Sequence, residues 1–222
     1  MRDAYGASVV AVTNTSTPGF AALVLAAGSF VDGAAPLALG KWGSTTVAQH
    51  LASAAAQAFD LVVVVLGCDG EAVAESIDFG EAMVVVDPEW GEGVASPLRV
   101  GLDVLSRSAE VEHAVIIEAT TPEIDDQLLR DLAAAHLEAP HGLQGRRLGD
   151  RSATVARFRY ARSGPIVLAR DLWERFLGME GSAPIHQALT AHPDWVNEIW
   201  IDHLPPKEVV TPDDLARVAP RR

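Results

Sequence analysis

The chain has 222 residues, 49% of them hydrophobic and 21% charged, which suits one globular domain with a sizeable core. Thirty acidic against 17 basic residues give a formal net charge of −13, which repels a phosphate backbone and excludes a broad nucleic-acid footprint. The single cysteine, Cys68, excludes an internal disulfide framework and a cysteine-rich zinc site; no apolar run approaches the roughly 18 residues of a membrane span, so a cytoplasmic protein is expected.

Phe, Trp and Tyr make only 6% of the chain. Closely packed helices around Val-rich buried strands are therefore expected, which is the α/β class. Residues 1–19, polar and turn-rich at 13–18 (TNTSTP), read as a loose extension, and residues 20–222 as a single domain. Residues 20–26 (FAALVLA) predict a buried strand closed by Gly28. Residues 46–59 carry apolar side chains at helical spacing behind the cap-like Ser44-Thr45. Residues 61–66 (LVVVVL) predict a second strand ending at Gly67, with Cys68 reading as a small buried hydrophobe. A short helix over 71–77, a strand over 82–86 and a helix over 96–106 follow, Pro97 falling in a first turn that tolerates it. Residues 113–118 (HAVIIE) predict a fourth strand, and 124–136 a helix whose Asp125 and Asp126 suit the positive end of its dipole.

Strand and helix in alternation predict right-handed crossovers and a parallel sheet buried on both faces. The second half is less regular. Residues 152–160 read as a strand, 171–176 as a helix and 196–201 as a late strand, before a helix opened by Thr211-Pro212-Asp213-Asp214. The basic residues between Arg146 and Arg162 read as a solvated face.

Ligands of open parallel sheets gather at the carboxyl ends of strands. The loops at 26–29, 67–69, 93–99 and 119–122 are therefore expected to converge on one cleft. Small residues directly after a buried strand let backbone N–H groups approach a phosphate, and a following helix would add its positive end. Neither G-x-x-x-x-G-K-[ST] nor G-x-G-x-x-G occurs, so neither a P-loop nor a dinucleotide fingerprint is present.

The run Leu23-Val24-Leu25-Ala26-Ala27-Gly28 with Gly33, then Asp87-Pro88-Glu89-Trp90-Gly91-Glu92-Gly93-Val94-Ala95-Ser96-Pro97-Leu98-Arg99-Val100-Gly101-Leu102, resembles the MobA-like nucleotidyltransferases. Ser163-Gly164-Pro165, Leu172-Trp173 and the closing Thr211-Pro212-Asp213-Asp214-Leu215 extend the resemblance over residues 20–218. It implies a three-layer αβα fold with a mostly parallel, Rossmann-like sheet of the nucleotide-diphospho-sugar transferase type. It also implies transfer of a nucleoside monophosphate from CTP or GTP to a phosphorylated acceptor such as molybdopterin, assisted by Mg²⁺. The positions implied to contact the nucleotide are Leu25, Ala26, Ala27, Gly28, Ser29, Gly67, Gly93, Ala95, Ser96, Arg99 and Thr120. No residue is assigned as a metal ligand. The expected partners are a small-molecule nucleotide and, at the protein level, a second copy or another protein.

The charged positions of the resemblance are altered together. Where the family places Arg and Lys beyond the glycine loop this chain has Val31 and Pro36, and Thr120 stands at the metal-binding carboxylate. Gly181-Ser182 replaces a later Gly-Asp, and Val210 an Asp before the closing Thr-Pro. A neutral hydroxyl forfeits most of the coordination energy of a carboxylate. Lys41, Glu118 and Asp202 are the candidate stand-ins; read structurally, they are a surface lysine, a strand-end side chain and a turn former. The loop at 93–99 likewise reads two ways, as a ligand-contacting helix start or as a loop packed by Trp90 and Leu98 with Arg99 in solvent. Two functions follow, a nucleotidyltransferase with a divergent site or a catalytically degenerate relative that binds a nucleotide or a protein partner.

Overall fold

The protein is described by a computed structural model over residues 17–31, 33, 35–138, 152–178, 185–202 and 204–220. The chain enters the sheet along β1 (Phe20–Ala26), then makes a small hairpin of β2 (Lys41–Trp42) and β3 (Thr45–Thr46) before α1 (Val47–Ala58). Thr46 caps α1, its hydroxyl accepting from the Gln49 amide at 3.2 Å, and the buried stripe Val47, Leu51, Ala54, Ala55, Ala58 turns one helical face to the sheet. β4 (Leu61–Leu66) follows, its four consecutive valines disfavouring a helix and filling both faces of a central strand. α2 (Gly70–Ser76), β5 (Met83–Val86), α3 (Ala95–Ser106), β6 (His113–Glu118) and α4 (Asp126–Glu138) complete the first half.

The second half runs through β7 (Ala153–Phe158), β8 (Ala161–Ala169), α5 (Trp173–Leu177), α6 (Ile185–Ala191), β9 (Val196–Ile201) and α7 (Pro212–Val218). Thr211 and Asp214 close α7 with a reciprocal capping box, Pro212 taking the first helical position. The strand order is β5-β4-β1-β6-β8-β7-β9, and β8 alone runs against its neighbours. Two apolar layers sandwich this sheet. Val24, Val62, Val64, Val115 and Ile117 pack with α1 and α4 on one face, and Leu23, Val63, Val65, Ile116 and Val155 with α3, α5 and α6 on the other.

The expected α/β sheet is present, mostly parallel, with β1, β4, β5 and β6 side by side as read from the sequence. Four readings need correction. β5 is an edge strand, with Met83 49% exposed and Val84 to Val86 half-buried, because nothing pairs with its outer side. The strand read over 152–160 is the first arm of a hairpin, and its return strand β8 was concealed by Gly164 and Pro165, which signal a turn but here lie in an irregular, bulged stretch. α6 was not anticipated. Thr17 to Gly19, read as part of a loose extension, are tied to the sheet, since the Glu112 and His113 amides donate to the Gly19 carbonyl at 2.8 and 3.0 Å. Most of that extension, residues 146–151 of the basic stretch, and Gly181-Ser182 lie outside the described residues.

At the amino edge of the sheet, away from the loops of interest, His136 is enclosed between Thr154 Oγ1 (2.7 Å) and His113 Nδ1 (3.2 Å), with Phe20 stacked on the His113 ring at 4.5 Å. Burial, reinforced by the neighbouring imidazole, pushes the His136 pKa from 6.5 down to about 4, and burial lowers His113 in the same direction. The unfolded chain therefore binds a proton near pH 6.5 that the native protein takes up only near pH 4. His136 leaves stability intact above pH 6.5 and drains about 3 kcal/mol as pH falls through that window. Denaturant midpoints measured from pH 7.5 to 4.5 should fall more steeply in the wild type than in His136→Gln; equal slopes would remove His136 as the cause.

Candidate active site

The chain passes from β1 to β4 and β5 on one side, then crosses back through α3 to β6 on the other side of β1. The carboxyl ends of β1 and β6 are therefore a topological switch point, where adjacent loops diverge and leave a crevice. Leu25 and Glu118 are partners in register at that point, and the Ala119 amide donates to the Leu25 carbonyl at 3.0 Å. A small pocket of about 10 Å³, room for about one water, lies above them, lined by Leu25, Val94, Ala95, Leu98, Glu118, Phe176 and Ile185. Glu118 is the one charged side chain in this lining, and its Oε2 lies 3.3 Å from Nε2 of His186 on α6. Among the described residues that imidazole engages one carboxylate oxygen and so fixes the direction of the group.

The expected loops are tied together along this edge of the sheet, but of the four only the one at 93–99 lines the pocket. The Cys68 amide donates to the Ala27 carbonyl at 2.8 Å, Gly67 packs under Trp90, and Val94 and Ala95 reach the pocket over β1 and β6. Larger hollows lie elsewhere, however. Grooves of about 670 and 980 Å³ flank the edge strand β5, one bordered by α1 and the other by α3.

The glycine loop differs from the expected phosphate cradle. No helix follows β1 directly. The loop turns back on itself, with Leu37 N donating to Gly28 O (3.0 Å), Phe30 N to Ala35 O (3.1 Å) and Gly33 N to Phe30 O (2.8 Å), so these amides are occupied within the loop. Gly33 takes a left-handed φ of 67° to make that turn. Ala26 and Ala27 are buried, Leu25 and Ser29 half-buried and Gly28 exposed, which leaves Gly28 as the point of closest approach for a ligand.

Three of the substituted positions, Val31, Thr120 and Val210, are joined by backbone bonds. The Val31 amide donates to the Val210 carbonyl at 2.9 Å, and the Val209 amide to the Thr120 carbonyl at 2.7 Å, so one strap holds both loops. Val31 is 76% exposed, whereas Pro36 is buried and unsuited to carrying a cation toward solvent. The loop that bears Thr120 is also braced by His50, whose Nε2 lies 3.1 Å from the Pro122 carbonyl and whose ring stacks on Trp42; burial holds its pKa below 6.5.

The loop at 93–99 divides. Gly93 adopts a φ of 127° at the turn into α3, and Ala95 lines the pocket. Ser96 is buried and donates to Asp87 Oδ1 at 3.1 Å, while the same oxygen accepts from the Glu89 amide at 2.9 Å; the pair holds the loop in shape. Arg99 reaches toward Glu89 (3.8 Å) and faces the groove beside β5, away from Glu118. Of the three stand-ins, Glu118 occupies the switch point. Lys41 borders a separate groove with Phe30, Pro212 and Leu215, and Asp202 pairs with Arg159 at 3.3 Å. Among the described residues no three His, Cys, Asp or Glu side chains gather as a metal site.

Sequence reasoning missed His186. A lone histidine in a seven-residue helix carries no signal, and only the packing of α6 against α3 and α5 brings it to Glu118. Gly67 was singled out, and the structure supplies its reason, because a Cβ there would lie 2.4 Å from Trp90 Cβ and 2.7 Å from the Ala27 carbonyl. Gly67→Ala is expected to cost about 1–3 kcal/mol through overpacking. Urea unfolding checks the loss, and a midpoint equal to that of the wild type would show that the loop yields freely.

Comparison with known proteins agrees with the geometry. Residues 22–195 match the MobA-like NTP transferase domain. Rv0371c from Mycobacterium tuberculosis H37Rv superposes with a TM-score of 0.71 at 24% identity, covering 91% of this chain and 97% of its own. The nucleotidyl transferase Mth528 from Methanothermobacter gives 0.66 at 15% identity over 90% and 95%. A CMP:2-keto-3-deoxy-manno-octonic acid synthetase complexed with CTP gives 0.67 at 14% identity over 90% and 96%. No curated protein is recognisably similar in sequence. With its family match spanning most of the chain and its sheet ordered as described, this protein belongs to the family of the MobA-like NTP transferase domain.

Proposed function

We propose that the protein transfers a nucleoside monophosphate from CTP or GTP to a phosphorylated acceptor such as molybdopterin, across the carboxyl edge of β1 and β6. The observation that carries this reading is Glu118, held by His186 at the switch point where the substituted Thr120 no longer offers a carboxylate. In the reaction a phosphate oxygen of the acceptor forms a bond to the α-phosphorus, the bond from that phosphorus to its β-bridging oxygen breaks, and pyrophosphate departs with the electron pair. A phosphate dianion is already a nucleophile, so no base is required.

The donor set fits a divalent cation in part. Glu118 offers a hard carboxylate oxygen while His186 orients it, and phosphates and water would supply the remaining positions, as is usual for Mg²⁺. Such an ion would neutralise charge on the departing pyrophosphate. The structurally similar Rv0371c has been crystallised with manganese, which makes Mn²⁺ worth testing beside Mg²⁺. The chain itself contributes the exposed Gly28 for backbone approach, the apolar walls of Leu25, Leu98 and Phe176 to exclude water, and Glu118 to place charge. Pyrophosphate release from CTP or GTP with molybdopterin, in Mg²⁺ and in Mn²⁺, tests the proposal. Binding without turnover would favour the second reading, a nucleotide-binding relative, which the neutral Val31 and the self-bonded glycine loop support.

A further inference from the structure

The outer edge of β5 is an uncovered template for a further strand. The Asp87 amide donates to the Leu66 carbonyl at 2.7 Å, and backbone groups alternate sides along a strand, so the N–H and C=O of Val84 and Val86 point away from β4. No described strand pairs with them. β5 carries none of the Lys or Pro residues that blunt such edges, and its Met83 is 49% exposed. The two faces beside this edge differ in chemistry. On one, Met83 and Val85 continue into the groove of about 980 Å³, which Leu61, Val63, Val100 and Val104 also line. On the other, Val86 packs on Gly70 at the start of α2, a helix whose only charged residues are Glu71 and Glu75, both exposed. Glu81, also exposed, precedes the strand. From residue 42 to residue 98 the sequence holds nine Asp and Glu and no Lys or Arg.

We propose that this edge receives an extended segment of a partner protein in which apolar side chains alternate with Lys or Arg. Side chains of an added strand point alternately to its two faces. One set fills the groove beside Met83 and Val85, and the other lies on the face that carries Glu71 and Glu75. The outward N–H and C=O groups of Val84 and Val86 supply the main-chain bonds. A second copy of this chain is the poorer occupant. Two-fold pairing of β5 with itself sets the acidic α2 and its copy on one face of the joined sheet, where like charges repel. The β5 edge is separated from Glu118 by β4 and β1, so partner binding does not depend on nucleotidyl transfer.

A capped synthetic peptide of alternating lysine and valine, titrated into the full chain with hydrogen exchange read at individual amides, tests this surface. The expected result is saturable protection of the Val84 and Val86 amides, their exchange slowed at least about tenfold, while the Val85 amide, which faces β4, is unchanged. Glu71→Gln combined with Glu75→Gln, both at exposed positions, should weaken peptide binding about tenfold, and a peptide with glutamate in place of lysine should not bind. Equal binding of the glutamate peptide, or protection that spares Val84 and Val86, overturns the assignment. Protection of these two amides before any peptide is added overturns it as well. If that protection grows with protein concentration the occupant is a second copy, and if it does not, the chain covers its own edge.

Discussion

Glu118→Gln is expected to lower nucleotidyl transfer by about 10²–10³-fold with little change in stability. Glutamine preserves the size of the side chain and can still accept from His186, so the substitution removes charge and leaves the packing of Leu25, Leu98 and Phe176 in place. Loss of one well-aimed electrostatic contact to a reacting phosphate or its cation costs about that factor, because a narrow, apolar-walled pocket screens it poorly. His186→Ala should cost less, on the order of tenfold, since the imidazole acts by positioning Glu118. The measurement is steady-state pyrophosphate release at saturating nucleotide, with urea midpoints as the control for folding. Activity in Glu118→Gln equal to that of the wild type would sink the assignment of Glu118, whatever the fold.

The contrast between what the residues announced and what they concealed has a physical source. β1, β4 and β6 were legible to the residue because strands buried on both faces must be uniformly apolar, and runs such as LVVVVL have no competing conformation. The hairpin of β7 and β8 was not, because Gly164 and Pro165 signal a turn locally while tertiary pairing with β6 keeps the strand extended. The site followed the same division. Leu25 and Ala95 reach the pocket through their position after a strand and at a helix start, which a motif encodes. The partnership of Glu118 with His186 joins residues 68 positions apart and depends on where α6 lands. The bond from buried Ser96 to Asp87 and the approach of Arg99 to Glu89 are likewise set by how the loop folds, which no motif encodes.

Val31→Arg with Thr120→Asp should tighten binding of CTP or GTP in the presence of Mg²⁺ by about ten- to a hundredfold, the range set by about 1.5–3 kcal/mol for a hydrogen bond to a charged partner. The structure makes both substitutions tolerable. Val31 is 76% exposed and contributes its amide, not its side chain, to the Val210 carbonyl, so an arginine keeps that bond and reaches into solvent or toward a phosphate. Thr120 is half-buried and gives its carbonyl to Val209, leaving the side chain replaceable by a carboxylate of similar size. Pro36→Lys is left aside, since a buried lysine would lose solvation before meeting a ligand. The two positions are strapped by adjacent residues, Val210 and Val209, so the added cation and carboxylate are brought to the same side of the sheet. There the arginine would offset phosphate charge in a protein that otherwise repels it, and the aspartate would add a second carboxylate beside Glu118. Calorimetric titration with each triphosphate, with and without Mg²⁺, decides the matter. An affinity that rises only when Mg²⁺ is present would assign the gain to Thr120→Asp, and a rise without it to Val31→Arg. No rise in either condition would mean that the self-bonded loop from Gly28 to Leu37, rather than the missing charges, is what keeps the triphosphate out.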